Sequence, residues 1–166
     1  TKSLVIWTAP PSNGVLQAVI DLVDPESVTL FGVSPDLDRP QPFLSRLIGL
    51  VKHVISRKTG ETTIKELAAA MAHTENTVQM GLVWLEAKGI FKVQEQEARE
   101  EGDESQFEGG DEMREDGSNG LVKLSEGSGV EAVNLVEITL ELKAMLDEAA
   151  AYRRYFQQAE VQSLLR

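Results

Sequence analysis

The 166-residue chain contains no cysteine. That excludes disulfide bridges and thiolate metal sites, and it fits a protein kept in a reducing compartment. Aromatic residues make up only 5% of the chain, so the core must be built mainly from aliphatic side chains. No apolar run approaches the roughly 18 residues of a membrane span, and the opening "TKSLVIW" carries no secretory pattern. A cytoplasmic protein with no membrane partner is the expectation. The chain also lacks an initiator methionine, and a strand-like run starts almost at once, so it reads as a piece excised from a longer protein. Basic residues are in deficit, 16 Lys and Arg against 27 Asp and Glu.

That deficit is local. From Glu95 to Asp116 there are eleven acidic residues and two arginines, a net of −9 within a total of −11, which leaves −11 − (−9) = −2 elsewhere. The acidity belongs to one segment, and inferences about partners have to be drawn separately for it and for the near-neutral remainder. The 95–119 stretch is rich in Glu, Asp, Gly, Ser and Gln. It cannot offset the entropy of ordering and is expected to form a disordered loop. It lacks the residue spacing of a calcium loop.

The hydrophobic pattern predicts a mixed α/β (α+β) fold. "LVIWT" (4–8) and "VTLFGV" (28–33) are short apolar runs of the kind buried in parallel sheets. Between them Val15, Leu16, Val19, Ile20 and Val23 recur at helical spacing behind Ser12, a candidate N-cap. This is a βαβ unit over residues 1–35 with parallel strands. A proline-rich linker, "SPDLDRPQP", leads to a helical stripe from Phe43 to Ile55 that ends near Arg57 and Lys58, with Gly60 beyond it. Thr63 and Glu66 form a capping-box pattern before the helix carrying Ile64, Leu67, Ala68 and Met71. Thr74 caps the next helix and Gly89 ends it. "IFKV" (90–93) and "LVKL" (121–124) read as a half-exposed hairpin. Three helices followed by a hairpin predict a winged-helix-like unit over 36–139, with the acidic stretch as an enlarged wing loop. "AVNLVEI" (132–138) is read as one more strand. The remainder (140–166) is read as a long C-terminal helix packing on the rest.

In helix-turn-helix proteins the second helix enters the major groove. Here its early exposed positions are Glu75, Asn76 and Gln79, and no Lys or Arg precedes Lys88. Phosphate neutralisation supplies most non-specific affinity, so specific duplex reading is not expected. The turn "TAPPSNG" puts prolines where a dinucleotide fold carries glycines, which argues for a structural turn over a phosphate site. His53 and His73 have no nearby carboxylate at ligand spacing, and His73 reads as a helix-capping residue. No catalytic, cofactor or metal residue is assigned. Basic residues gather at Arg57 and Lys58 and around the base of the wing at Lys88, Lys92 and Lys123. These five are the candidate contacts for a partner or for single-stranded DNA. Arg153 and Arg154 are placed on the outer face of the last helix.

Four stretches follow one another in the order of a known family: "LVIWTAPPSNGVLQ", "PFLSRLIGLVKHVI", "TIKELAAAMAHTENTVQMGLVWLEAKGIFKV" and "LDEAAAYRRYFQQAEVQSLL". The chain resembles the C-terminal domain of the bacterial single-stranded-DNA-specific exonuclease RecJ. It departs from that pattern at Ala149, where a serine is expected, and in the length of the acidic segment. The resemblance implies a non-enzymatic accessory domain of a 5′–3′ exonuclease of DNA repair and recombination. Such a domain docks the single-stranded-DNA-binding protein or other repair proteins, or guides single-stranded DNA. Mg or Mn would belong to the catalytic core of the parent protein and not to this fragment. Two alternatives stay open: a winged-helix DNA-binding regulator, and a protein-interaction module unrelated to any nuclease.

Overall fold

The computed structural model describes residues 2–95 and 121–164. The expected acidic loop lies outside the described residues. The described chain is a mixed α/β arrangement: an N-terminal βαβ-like unit, a group of helices with a small antiparallel sheet, and C-terminal helices.

The first unit runs β1 (Ser3–Thr8), α1 (Asn13–Val23) and β2 (Ser27–Val33), and its two strands pair in parallel. Ser12 caps α1 as its sequence suggests, its hydroxyl accepting from the Val15 amide at 3.3 Å. Leu16 of α1 packs with Ala9, Ile6 and Leu30 on one face of the strand pair, and Phe156 and Leu164 from the C-terminal helices complete this small core. The expectation of fully buried strands is corrected here. Outward residues alternate with half-buried ones along both strands, so the second face stands open.

The second unit runs α2 (Pro40–Arg57), β3 (Glu61–Thr63), α3 (Ile64–Met71), α4 (Glu75–Ala87), β4 (Phe91–Glu95) and β5 (Leu121–Glu126). Phe43, Leu47, Val51 and Val54 form the buried stripe of α2. It meets Leu67 and Met71 of α3, Val78, Leu82 and Leu85 of α4, and Phe91, Val122 and Leu124 of the sheet. Thr63 and Thr74 cap α3 and α4 through their hydroxyls. The Thr63 backbone N–H in turn acts on the Glu66 carboxylate, as the capping-box pattern expects, and the Thr62 hydroxyl donates to the same carboxylate at 2.8 Å.

Strands β4 and β5 form the expected hairpin. A third strand, β3, which no hydrophobic periodicity marks, pairs antiparallel with β5 to give the order β3-β5-β4. Gly60 makes this possible. Its φ is +84°, and a Cβ there would lie 2.4 Å from the Leu124 carbonyl oxygen. Only glycine lets the chain leave α2 and reach β5 at that separation.

The segment expected as a strand at 132–138 is instead a turn leading into α5 (Leu135–Gln158), which begins five residues earlier than the expected start at Leu140. The β-branched residues of "AVNLVEI" favour a strand locally. Ile138 and Leu142, four residues apart, bury one helical face instead, and packing against the rest of the fold decides the outcome. A short α6 (Val161–Leu164) follows, so the C-terminal region is two helices over the described residues.

Candidate interaction surface and the buried polar cluster

The five candidate basic residues Arg57, Lys58, Lys88, Lys92 and Lys123 stand in different settings. Lys92 on β4 and Lys123 on β5 both point away from the core, since Phe91, Val122 and Leu124 alternate with them on the buried side. Lys92 sits opposite Ser125, and Lys123 opposite Gln94 on one side and Glu61 on the other. The two lysines are therefore diagonal neighbours on one outer face of the three-stranded sheet. Among the described residues neither has an ion-pair partner within 4 Å.

Lys88, the C-cap residue of α4, is ion-paired at 2.6 Å with Glu131 in the segment leading to α5. Lys58, just past α2, is ion-paired at 3.4 Å with Glu66. Both pairs are exposed and contribute little to stability, but each offsets one positive charge. Arg57 is exposed in the last turn of α2.

The groove beside α4 is unsuited to phosphate. A cavity of about 350 Å³ between α4 and the hairpin is lined by Ile64, Gln79, Leu82, Val83, Glu86 and Val122, with Val93. Glu86 accepts from the Val93 amide at 3.3 Å, which places a carboxylate in the groove. Glu75 sits in the first turn of α4. These acidic groups oppose a nucleic-acid backbone at the face where a recognition helix would meet it.

A second cleft, of about 460 Å³, lies where the Pro11–Asn13 turn, the start of α4 and α5 converge. Ser12, Asn13, Thr74, Thr77, Glu148 and Tyr152 contribute polar groups to it, and it has no lysine or arginine. Burial raises the Tyr152 phenol above its ordinary value, with Tyr155 adding to the shift. Ser12 and Thr74 already spend their hydroxyls on capping α1 and α4. The proline turn thus serves as a structural turn and helix cap.

The most buried polar side chain among the described residues lies elsewhere, and the placement of Arg153 is corrected by it. Arg153 is not on the outer face of α5; it is 2% exposed. Its Nη1 lies 3.3 Å from the Asp38 carboxylate in the linker, and its Nη2 donates to the carbonyl of Ala72. His73 follows α3 as a capping residue, its backbone N–H donating to the Ala68 carbonyl at 3.1 Å. It is buried, with Nε2 3.1 Å from Asp38 Oδ1 and 3.2 Å from the Leu37 carbonyl. Its ring meets Phe43 edge-on, centroids 5.2 Å apart.

Asp38 Oδ1 and Arg153 Nη1 lie within ion-pair distance but are not aligned as a hydrogen bond, and His73 Nδ1 and Arg153 Nε have no hydrogen-bond partner among the described residues. Desolvation lowers the Arg153 pKa from the ordinary arginine value, and the Asp38 charge opposes that shift. A permanently charged guanidinium shares the carboxylate, so the cluster is a poor cation site. Among the described residues no group of three or more His, Asp or Glu side chains is placed to hold a metal ion.

A signal for Arg153 was present in the sequence. The buried face of α5 runs Leu142, Leu146, Ala149, Arg153, Phe156, with spacings of four and three. Arg153 falls in register with that apolar seam. No helix among the described residues is long and apolar enough to cross a membrane. Comparison with family models, with curated proteins and with solved structures finds no match.

Proposed function

We propose that this chain is a non-catalytic accessory domain of a single-stranded-DNA-specific exonuclease of DNA repair, of the RecJ kind. In this reading residues 36–139 are a winged-helix-like unit that docks the single-stranded-DNA-binding protein or another repair protein, or guides single-stranded DNA. The family reading rests on the four ordered stretches of sequence. The element order α2, β3, α3, α4, β4, β5, with β5 between the other two strands, supports the winged-helix description.

The observation that carries the choice of surface is the shared outer face of Lys92 and Lys123, two neighbouring cations with no ion-pair partner among the described residues. An acidic peptide tail or a single-stranded backbone complements such a face. A duplex-reading regulator is the weaker reading, because the exposed start of α4 offers Glu75 and Asn76 with no cation.

The test is a charge reversal, Lys92→Glu with Lys123→Glu, and both sites are exposed enough to leave the fold intact. Fluorescence anisotropy with labelled oligo-dT, and separately with purified single-stranded-DNA-binding protein, should show binding by the native chain. The variant should lose most of it, and the loss should be smaller at high salt. Equal affinity of native and variant chains for both ligands would remove this face. Tight sequence-specific duplex binding would favour the regulator.

A further inference from the structure

Helix α2 carries charge of one sign only. From Arg39 to Gly60 the sequence holds no Asp or Glu, yet it places Arg39, Arg46, Lys52, Arg57 and Lys58 there, in a chain whose net charge is −11. All five are exposed. Lys58 pairs with Glu66, but among the described residues Arg39, Arg46, Lys52 and Arg57 have no ion-pair partner within 4 Å. Helix stability does not require this pattern. Arg39 stands at the N-cap without a capping hydrogen bond, and the first turn has no acidic residue, whereas the helix dipole favours negative charge there.

The helical repeat arranges these cations. Phe43, Leu47, Val51 and Val54 fill the buried face. At about 100° per residue, Arg46, His53 and Arg57 line one side of the exposed arc. Lys52 lies on the other side, and Ser45, Gly49 and Ser56, all exposed, fall between. Nothing lies within 4 Å of a Cβ built on Gly49, so the middle of the arc is low and open. From Arg39 to Arg57 the row spans about 27 Å, at about 1.5 Å per residue.

We propose that this outer face of α2 is a binding surface for the phosphodiester backbone of a nucleic acid, held without regard to sequence. Three of the four unpaired cations are arginines, whose planar fork grips phosphate oxygens at two points. Phosphate contacts of this kind position a strand and carry no sequence information. Charge complementarity selects a polyanion, and the residues between the cations decide which one. Serines and a glycine leave a backbone room to approach, and they offer no apolar or aromatic anchor on which a protein partner would build a hot spot. An anionic membrane is disfavoured for a related reason: the apolar face of α2 is packed into the core and has nothing to insert. The surface lies on α2 and the lysine face on β4 and β5, so this proposal and the functional reading fail separately.

The experiment is fluorescence anisotropy of the native chain with labelled oligo-dT and, separately, with a mixed-sequence duplex, from about 50 to about 200 mM salt. Both should bind, single strand and duplex being the two sources of the same backbone. Arg39→Gln with Arg46→Gln and Lys52→Gln removes three of the charges and no buried group. This triple variant should weaken binding at least ten-fold at the lowest salt, with an unchanged circular dichroism spectrum. The log–log salt slope should shrink by about 2 for oligo-dT and about 3 for the duplex, as three lost phosphate contacts require. A loss confined to one ligand supports the proposal and names its source. Native affinity and slope in the triple variant for both ligands would overturn it, as would a native chain that binds neither. Polyglutamate of equal charge competing as well as oligo-dT would overturn the assignment to phosphate. So would triple-variant-sensitive binding to phosphatidylserine vesicles without binding to either nucleic acid.

Discussion

Arg153, late in α5, lies 3.3 Å from the half-buried Asp38 in the linker ahead of α2, and Arg153 itself is buried beside His73. The contact joins segments far apart in sequence, and Arg153 also donates to the Ala72 carbonyl at the end of α3. Three elements are thereby fixed to one another by a single guanidinium. Burial of that charge is tolerable only while the carboxylate and the carbonyl are present.

Removing one partner should therefore cost more than the pair is worth. Asp38→Ala is expected to lower unfolding stability by about 3 kcal/mol, because it leaves Arg153 buried without its counter-charge. The double variant Asp38→Ala with Arg153→Met, which removes the orphaned charge and restores apolar volume, should recover much of that loss. Urea denaturation of the single and double variants measures both. A double variant no more stable than Asp38→Ala would show that the cost lies in packing and not in the stranded charge.

Gly81 of α4 faces Leu47 and Phe43 of α2 at close range. A Cβ there would lie 2.7 Å from both Leu47 Cδ2 and Phe43 Cε1, and both of those side chains are fully buried. Gly81→Ala should destabilise by about 1–3 kcal/mol through overpacking, despite the better helix propensity of alanine. Gly49 provides the control within α2. It is exposed, nothing lies within 4 Å of its would-be Cβ, and Gly49→Ala should stabilise by up to about 1 kcal/mol. Thermal melts of the two variants should move in opposite directions.

The Glu66 carboxyl is held below its ordinary value, first by the hydrogen bond from the Thr62 hydroxyl and then by the charge of Lys58. A carboxyl depressed in the folded state contributes stability above its unfolded value, near 4.3. That contribution is lost as pH falls through the lower folded value. The stability gap between the native chain and Glu66→Gln should be constant near neutrality, shrink below about pH 4.5 and close at lower pH. Because the group is exposed, the gap should be small. A gap that widens on acidification would contradict the assigned direction.

Joining β4 to β5 with a short turn in place of residues 96–119 tests the acidic segment. The deletion removes ten acidic residues and two arginines, a net of −8, so the chain charge goes from −11 to −11 − (−8) = −3. Stability should stay level or rise slightly, since loop-closure cost changes only slowly with length. Affinity for single-stranded DNA should increase, most clearly at low salt. Unchanged affinity at low salt would mean that the acidic segment does not screen the lysine face.

Much of this molecule was legible along the chain because the determinants are local. Ser12, Thr63 and Thr74 cap their helices through bonds to amides three residues on, and such caps are written in short sequence patterns. The helical stripe of α2, the hairpin of β4 and β5 and the parallel pairing of β1 with β2 follow from periodicity and the lengths of connections. Other features needed partners distant in sequence. Strand β3 is three residues, Glu-Thr-Thr, with no periodicity of its own, and it exists because Gly60 brings it against β5. Residues 135–138 have strand-like composition, yet burial of Ile138 against the rest of the fold makes them helix. Composition gave Arg153 to the solvent, whereas a carboxylate supplied from the linker lets it sit in the seam of α5. The two apolar strands illustrate the same limit: sequence decides that they pair, and only the tertiary arrangement decides which face is covered, because hydrophobic burial depends on what else the fold brings alongside.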